Sequence, residues 1–383
     1  MRGVQIHLRE PNLDVWPELS IVVPVHNGGI QLPLCLRALL ESSFRDFELL
    51  VVDDCSTDIT PQITQSYDVR YMRTPGKLGP AAARNLGAHH ARGHILVFVD
   101  ADVQLPPEAL QIIVEDFERD PLRAAVFGSY DRAPAELGFV SQYKNLIHHY
   151  VHQISSHDAV TFWAGCGAIR RKLFLELGGF DAKKYPRPTI EDIELGMRLR
   201  RYGHKVLLDK GLQVKHLKRW TMFSMLSSDI RDRAIPWSKL ILETREMPSQ
   251  LNLTYEARFS AAGTMLLAVL ALLLLGSGRL GKTSLLLAGG AAVMNAVLLV
   301  ALNRHVYRFF WKQRGIGFMM AAVPIHWLYY FYSGLVWICC FASHHMGAIF
   351  HPPSIMHAEP IREFRADDYE RRSANTSAPD AHV

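Results

Sequence analysis

From Leu19 onward, short β-branched runs alternate with stretches whose apolar residues recur at helical spacing. Leu19–Val25, with Ile21, Val22 and Val23, predicts a first strand, ended by Pro24 and the turn His26-Asn27-Gly28-Gly29. Leu32, Leu36, Leu39 and Leu40 follow on one helical face. Phe47–Val52 and Val69–Met72 predict two more strands, and Ala81 to Ala91 a helix after the loop Pro75-Gly76-Lys77-Leu78-Gly79-Pro80. The run Ile95-Leu96-Val97-Phe98-Val99 has no polar face, which suits a parallel strand covered on both sides. After Pro106-Pro107 a helix reaches about Arg119. This alternation with short loops predicts an α/β fold with a doubly wound, mostly parallel sheet.

Beyond it, Ser141–Ser156 is helical in pattern, Phe162–Ile169 a small-residue turn and strand, and Leu177-Gly178-Gly179-Phe180-Asp181 a turn. Ile190–Tyr202 predicts a helix with Glu191, Asp192 and Glu194 in its first turn, and Val206–Leu208 a last short strand. Thr221–Met247 mixes Met222, Phe223, Ile230, Trp237 and Leu240 with Arg231, Arg233 and Lys239. That pattern fits a helix in a membrane interface or one facing a protein core. Phe259–Leu275, Leu285–Leu302 and Ile316–Ala342 are each near the roughly 20 apolar residues that span a bilayer. The loop before the third stretch carries Arg304, Arg308, Lys312 and Arg314, and the loop before the second only Arg279 and Lys282. Basic loops stay in the cytosol, so the N-terminal domain is expected there and the C-terminus on the opposite side. The expected organisation is a lead-in over 1–18, an α/β domain over 19–220, an interfacial connector over 221–258, three spans over 259–342 and a disordered tail over 343–383.

Composition sharpens this picture in two places. The chain is 49% hydrophobic, with the excess late, and its net charge of +5 suits an anionic membrane surface or phosphate-bearing substrates. No nucleic-acid partner is expected. The five cysteines, Cys35, Cys55, Cys166, Cys339 and Cys340, have neither C-x-x-C spacing nor disulfide-framework density. They read as reduced thiols, and no signal-peptide run precedes Ser20.

Candidate chemistry begins at the end of the central strand. Asp100 and Asp102 stand two apart, so they point the same way, where open α/β sheets bind ligands. Two hard oxygen ligands there suit Mg²⁺ or Mn²⁺ shared with substrate phosphates. Taken alone, the pair reads equally as an acidic turn. Asp54 can accept from an imide N–H or close an Asx turn. Lys77 and Arg84 can meet a diphosphate or serve as surface charges. Asp192 can act as a base or merely pair with the helix dipole. His148, His149 and His152 have no paired carboxylate spacing. Gly276-Ser277-Gly278-Arg279-Leu280-Gly281-Lys282-Thr283 matches the P-loop pattern letter for letter. It lies between two apolar spans instead of after a strand, and reads as an interhelical turn.

Six pieces in order resemble the family 2 glycosyltransferases of the GT-A fold. They are Val22-Val23-Pro24-Val25-His26-Asn27-Gly28, Val51-Val52-Asp53-Asp54-Cys55-Ser56-Thr57-Asp58, Ala83-Arg84-Asn85-Leu86-Gly87, Asp100-Ala101-Asp102, Gly178-Gly179-Phe180-Asp181 and Ile190-Glu191-Asp192. The resemblance covers about residues 19–220. It implies nucleotide recognition at Pro24 and Asp54, diphosphate contact at Arg84, donor and metal binding at Asp100 and Asp102, and a general base at Asp192. His216-Leu217-Lys218-Arg219-Trp220 looks like the Q-x-x-R-W element of processive members, with His in place of Gln. His216 is then a metal ligand or a surface residue, and Trp220 with Arg219 an acceptor platform or, for Trp220, an interface anchor.

The expectation is therefore an inverting, metal-dependent transferase in the bacterial inner membrane. It would pass a sugar from a nucleotide-diphosphate donor, most often UDP-linked among similar proteins, to a membrane lipid or lipid-linked acceptor. A processive polysaccharide synthase and a non-catalytic membrane scaffold are the alternatives.

Overall fold

The computed structural model describes residues 16–247, 253–276 and 281–350, with side chains to 346. Two compact units divide them. The first takes residues 16–135 and 156–218, the second 136–155 and 219–350.

In the first unit the order is β1 (Leu19–Val25), α1 (Leu32–Leu40), β2 (Phe47–Asp53), α2 (Thr60–Gln65), β3 (Arg70–Arg73), α3 (Pro80–His90), β4 (Ile95–Val99), β5 (Val103–Gln104), α4 (Ala109–Arg119) and β6 (Arg123–Tyr130). After residues 136–155, which carry α5 (Phe139–Ile154) of the second unit, come β7 (Cys166–Arg170), α6 (Arg171–Glu176), α7 (Glu191–Arg201) and β8 (Lys205–His216). The eight strands form one sheet in the order β3-β2-β1-β4-β7-β6-β8-β5.

The first half is parallel, as the alternation predicts, with β1 beside both β2 and β4. The second half is mixed, because β7 runs antiparallel between β4 and β6. β8 is longer than Val206–Leu208, running parallel to β6 and ending against β5. Every residue of β4 is buried, in a core that continues through Val22, Val51, Phe127 and Ile169. The sheet direction brings the ends of β1, β2 and β4 to one edge. There Asn27 ties the loops together, its N–H donating to Ser56 Oγ at 2.8 Å and its Oδ1 accepting from Thr57 N–H at 2.8 Å.

The second unit holds α5, the helical run α8 (Met222–Ser227), a π-helical segment Ser228–Ala234 and α9 (Ile235–Thr244), then α10 (Tyr255–Leu275), α11 (Lys282–Leu302) and α12 (Arg304–Phe350). Three of these helices are long and apolar enough to cross a membrane. Asp229, buried in the π-helical segment, pairs with Lys144 of α5 and accepts from Tyr332 Oη of α12 at 2.8 Å. Of the predicted connector 221–258, residues 222–244 are a helical run packed on α5 and α12, and 248–252 lie outside the described residues. The basic stretch 304–314, read from sequence as a loop, is helical; the break comes at Gly315, whose φ of 83° no helix continues through. The expected tail is helical as far as Phe350, and 351–383 lie outside the described residues. The middle of the P-loop-like string, 277–280, is also outside them. What precedes the string is helix α10, not a strand.

Candidate active site

The site grows from the end of β4. The N–H of Asp100 donates to Gly165 O at 3.2 Å, fixing the strand end to the turn before β7. Val103 N–H then closes back on Asp100 O at 3.0 Å, so Asp100 and Asp102 flank a tight turn. Leu217 N–H donates to Asp102 O at 2.8 Å, which brings the end of β8 to the same place. His216 Nε2 lies 3.7 Å from Asp102 Oδ2, and the imidazole stacks on Tyr130 at 4.2 Å between centroids. Tyr130 in turn meets Trp163 edge-on at 4.8 Å.

The two carboxylates sit in opposite electrostatic situations. Burial pushes Asp100 up, and the Arg84 charge opposes that shift without cancelling it. Burial also acts to raise Asp102. His216, 3.7 Å away, together with Lys218 outweighs it and holds Asp102 below the usual carboxylate range.

Arg84 is buried in α3, and two carboxylates take its guanidinium. One nitrogen donates to Asp100 Oδ1 at 2.6 Å, another to Glu191 Oε1 at 2.9 Å. Glu191 completes its bonding by accepting from Thr189 N–H at 2.9 Å. Glu194 is held by Arg198 one turn along. Asp192 is different: it is half-buried, and its Oδ2 accepts from Ala164 N–H at 3.1 Å beside the Gly165 that holds Asp100. The turn 163–165 therefore links the strand-end pair to the start of α7. Gly165 is required there, because a Cβ would come within 2.4 Å of the Trp163 ring.

The remaining motif residues have local reasons. Asn85 exchanges two hydrogen bonds with Phe180, 2.8 and 2.9 Å, and locks the Gly178-Gly179 turn, whose φ values are 77° and 68°. Both oxygens of Asp54 are engaged: Oδ1 accepts from Leu78 N–H and Thr74 Oγ, and Oδ2 from Gly79 N–H, at 2.8–2.9 Å. It thus fixes the loop 74–79 against the end of β2. The turn itself is closed by its neighbour Asp53, whose Oδ1 accepts from Ser56 N–H three residues on at 2.8 Å. Pro24 sits in β1 opposite Val52, and Lys77 is exposed on the loop that Asp54 holds.

Of the residues that the sequence singles out, the structure brings Asp100 and Asp102 together with His216, and sets Asp192 against the 163–165 turn. Arg219 and Trp220 belong to the second unit, where Trp220 N–H donates to Ser141 Oγ at 2.8 Å. Tyr130, Trp163 and Glu191 were missed as site residues. Trp163 beside a glycine turn was the available signal; Tyr130 ends a strand that the pattern hides.

Among the described residues, no three His, Cys, Asp or Glu side chains converge closely enough to hold a cation unaided. Asp102 with His216, and Asp100 two residues before, offer an incomplete set of oxygen and nitrogen donors. Such a set fits a cation that takes its other ligands from substrate phosphates.

Comparison with known proteins bears on the family and the fold. Residues 20–178 match the model of glycosyl transferase family 2. An uncharacterized glycosyltransferase of Haemophilus influenzae is 27% identical over 188 residues, covering 47% of this chain and 61% of that protein. The glycosyltransferase GlyG of Streptococcus pneumoniae is 26% identical over 128 residues, 32% of this chain and 42% of that one. The chain thus spans less than two thirds of these relatives. A mannosyltransferase of Pyrobaculum calidifontis, solved with GDP-Man and Mn²⁺, superposes with a TM-score of 0.55 over 83% of this chain and 89% of its own, at 20% identity, a likeness of fold. Residues 20–178 thus carry a glycosyl transferase family 2 domain of GT-A-like fold, in a chain that continues into membrane-length apolar helices.

Proposed function

We propose that this protein is a membrane-bound, metal-dependent inverting glycosyltransferase, taking a nucleotide-diphosphate sugar and glycosylating a hydroxyl of a lipid or lipid-linked acceptor. The observation that carries the reading is the joined pair of carboxylate sites. Asp100 and Asp102 stand at the end of β4 with His216, and Asp192 stands at the start of α7, connected through Arg84–Glu191 and the 163–165 turn.

Asp102 and His216, with Asp100 beside them, would hold a Mg²⁺ or Mn²⁺ ion shared with the donor's phosphates. Such a cation, when bound, neutralises charge on the leaving diphosphate. Asp192, oriented by the N–H groups of Ala164 and Ile193, accepts the proton of the acceptor hydroxyl as that oxygen attacks the anomeric carbon. The bond to the diphosphate breaks in the same displacement, so the anomeric configuration inverts. The loop 74–79, fastened by Asp54, flanks the nucleotide. The Mn²⁺ and nucleotide sugar in the Pyrobaculum calidifontis enzyme support a donor of this class. A membrane acceptor is supported by the apolar helices that follow the domain in the same chain, and Trp220 with Arg219 is the proposed acceptor platform.

The experiment is nucleoside-diphosphate release from a panel of nucleotide sugars by the full chain in detergent, with a lipid extract as acceptor. Release should need a divalent cation and stop on chelation. Asp102→Ala should lower it at least about 100-fold while the protein stays folded. Cation-independent release, or a folded D102A enzyme with normal turnover, contradicts the reading. Product length on a gel separates single transfer from polymerisation.

A further inference from the structure

The second unit carries a feature that sugar transfer does not explain. α12 is two arms folded back at Gly315, 304–314 and 316–330, before it continues. Three contacts make the fold-back an antiparallel hairpin. Tyr330 Oη donates to Asn303 Oδ1 at 2.9 Å, Trp327 Nε1 to Tyr307 Oη at 3.1 Å, and the Phe310 and Phe318 rings meet at 5.7 Å nearer the bend. Asn303 also donates to Ser260 Oγ at 2.8 Å. Ser260 is in the opening turns of α10, and Asn303 directly follows the last residue of α11. The hairpin therefore starts and finishes where the α10–α11 pair begins and ends. Past Tyr330 α12 runs beside α10, where Gly334 faces Ala261 and Met265.

The outer surfaces of the arms differ in kind. Arg304, Arg308 and Lys312 are exposed four residues apart, which makes one basic stripe along the first arm. On the second arm Ile316, Met320 and Leu328 are 57%, 64% and 40% exposed, at multiples of four, so this stripe is apolar. A span facing acyl chains on all sides would not carry the first stripe, and a hairpin standing in water would not be expected to carry the second. A helical pair resting on a leaflet needs both: apolar residues for the acyl boundary and cations for lipid phosphates.

We propose that the 304–330 hairpin is a membrane-surface anchor for anionic leaflets. Its second arm seats in the acyl boundary, and Arg308 and Lys312 meet headgroup phosphates. The membrane-crossing part of α12 then begins near Tyr330, not at Ile316. This inference stands apart from the transfer reaction, and its test requires no turnover.

The full chain carrying Met320→Trp, with Ile316→Trp as a second reporter, is reconstituted into vesicles of phosphatidylcholine and phosphatidylglycerol. Emission added over wild type is read against lipids brominated near the top of the acyl chains and against iodide in the water. Both added signals should fall at least about twofold with brominated lipid and be shielded from iodide. Arg308→Glu with Lys312→Glu should weaken the brominated-lipid quenching. Added emission quenched by iodide and untouched by brominated lipid places the arm in water or under a protein partner, and overturns the proposal. Quenching indifferent to the charge reversal overturns its anionic-surface part.

Discussion

Arg84 reaches Asp100 at 2.6 Å and Glu191 at 2.9 Å, so one buried side chain fastens the end of β4 to the start of α7. Sixteen residues separate Arg84 from the first partner and 107 from the second. The cation offered to a diphosphate by the sequence is, in the fold, engaged in holding two acidic segments together. Removing it leaves two carboxylates without their cation, one of them, Glu191, buried. Arg84→Ala is expected to destabilise the protein by about 3 kcal/mol. Arg84→Lys keeps the charge but cannot present a fork to both partners; it should recover much of the stability and little of the activity. Denaturant melts and donor turnover on the two variants check this.

Asp116 gives a pH signature away from the site. Burial and the nearby Asp209 raise its carboxyl to about 6, against the pull of Arg123 and Arg119. The sign follows from linkage: a raised folded value means that the folded state holds the proton more tightly than the unfolded chain. This stabilisation is present at low pH and is lost as pH rises from the ordinary carboxylate range through about 6. Asp116→Asn should flatten that part of the melting-temperature profile between pH 4 and pH 7. A wild-type profile unchanged by the substitution would remove Asp116 as its source.

Lys282 tests the P-loop resemblance. It begins α11 after a glycine cap, and helix α10 precedes the motif, so no strand positions a phosphate loop. Lys282→Ala should leave nucleotide affinity and transfer within about twofold of wild type, measured by calorimetry and donor turnover. Loss of both would reinstate the motif.

Much of the first half of the sheet was legible because its strands are pure apolar runs bounded by polar turns. The strand ending at Asp100 needs no partner to be recognised. β6 was not legible: Arg123–Tyr130 contains Ala124, Ala125 and Gly128, residues with little strand preference. Gly128 is there because the backbone of Leu212 passes so close that a Cβ would meet its oxygen at 2.2 Å. β8 was seen only as Val206–Leu208 because Asp209, Lys210 and Gly211 interrupt its alternation, at a register shift opposite Phe127 and Ser129. Strand direction is a tertiary property, so the antiparallel β7 left no local trace. The 304–314 segment was read as a loop because its charges were counted for topology; their spacing of four is a helical stripe. In the site, the carboxylates were legible from spacing and motif order. Their wiring through Arg84, Glu191 and the 163–165 turn joins segments far apart in sequence.

The central claim is that Asp192 removes the acceptor's proton while the strand-end pair manages the donor. The most direct measurement is Asp192→Asn, with donor affinity by calorimetry and single-turnover transfer recorded on the same preparation. The amide keeps an oxygen for Ala164 N–H but cannot take a proton. Donor affinity should stay within about twofold of wild type, and transfer should fall by about 100- to 10,000-fold. Transfer at near the wild-type rate, or donor affinity lost in step with it, would contradict the assignment.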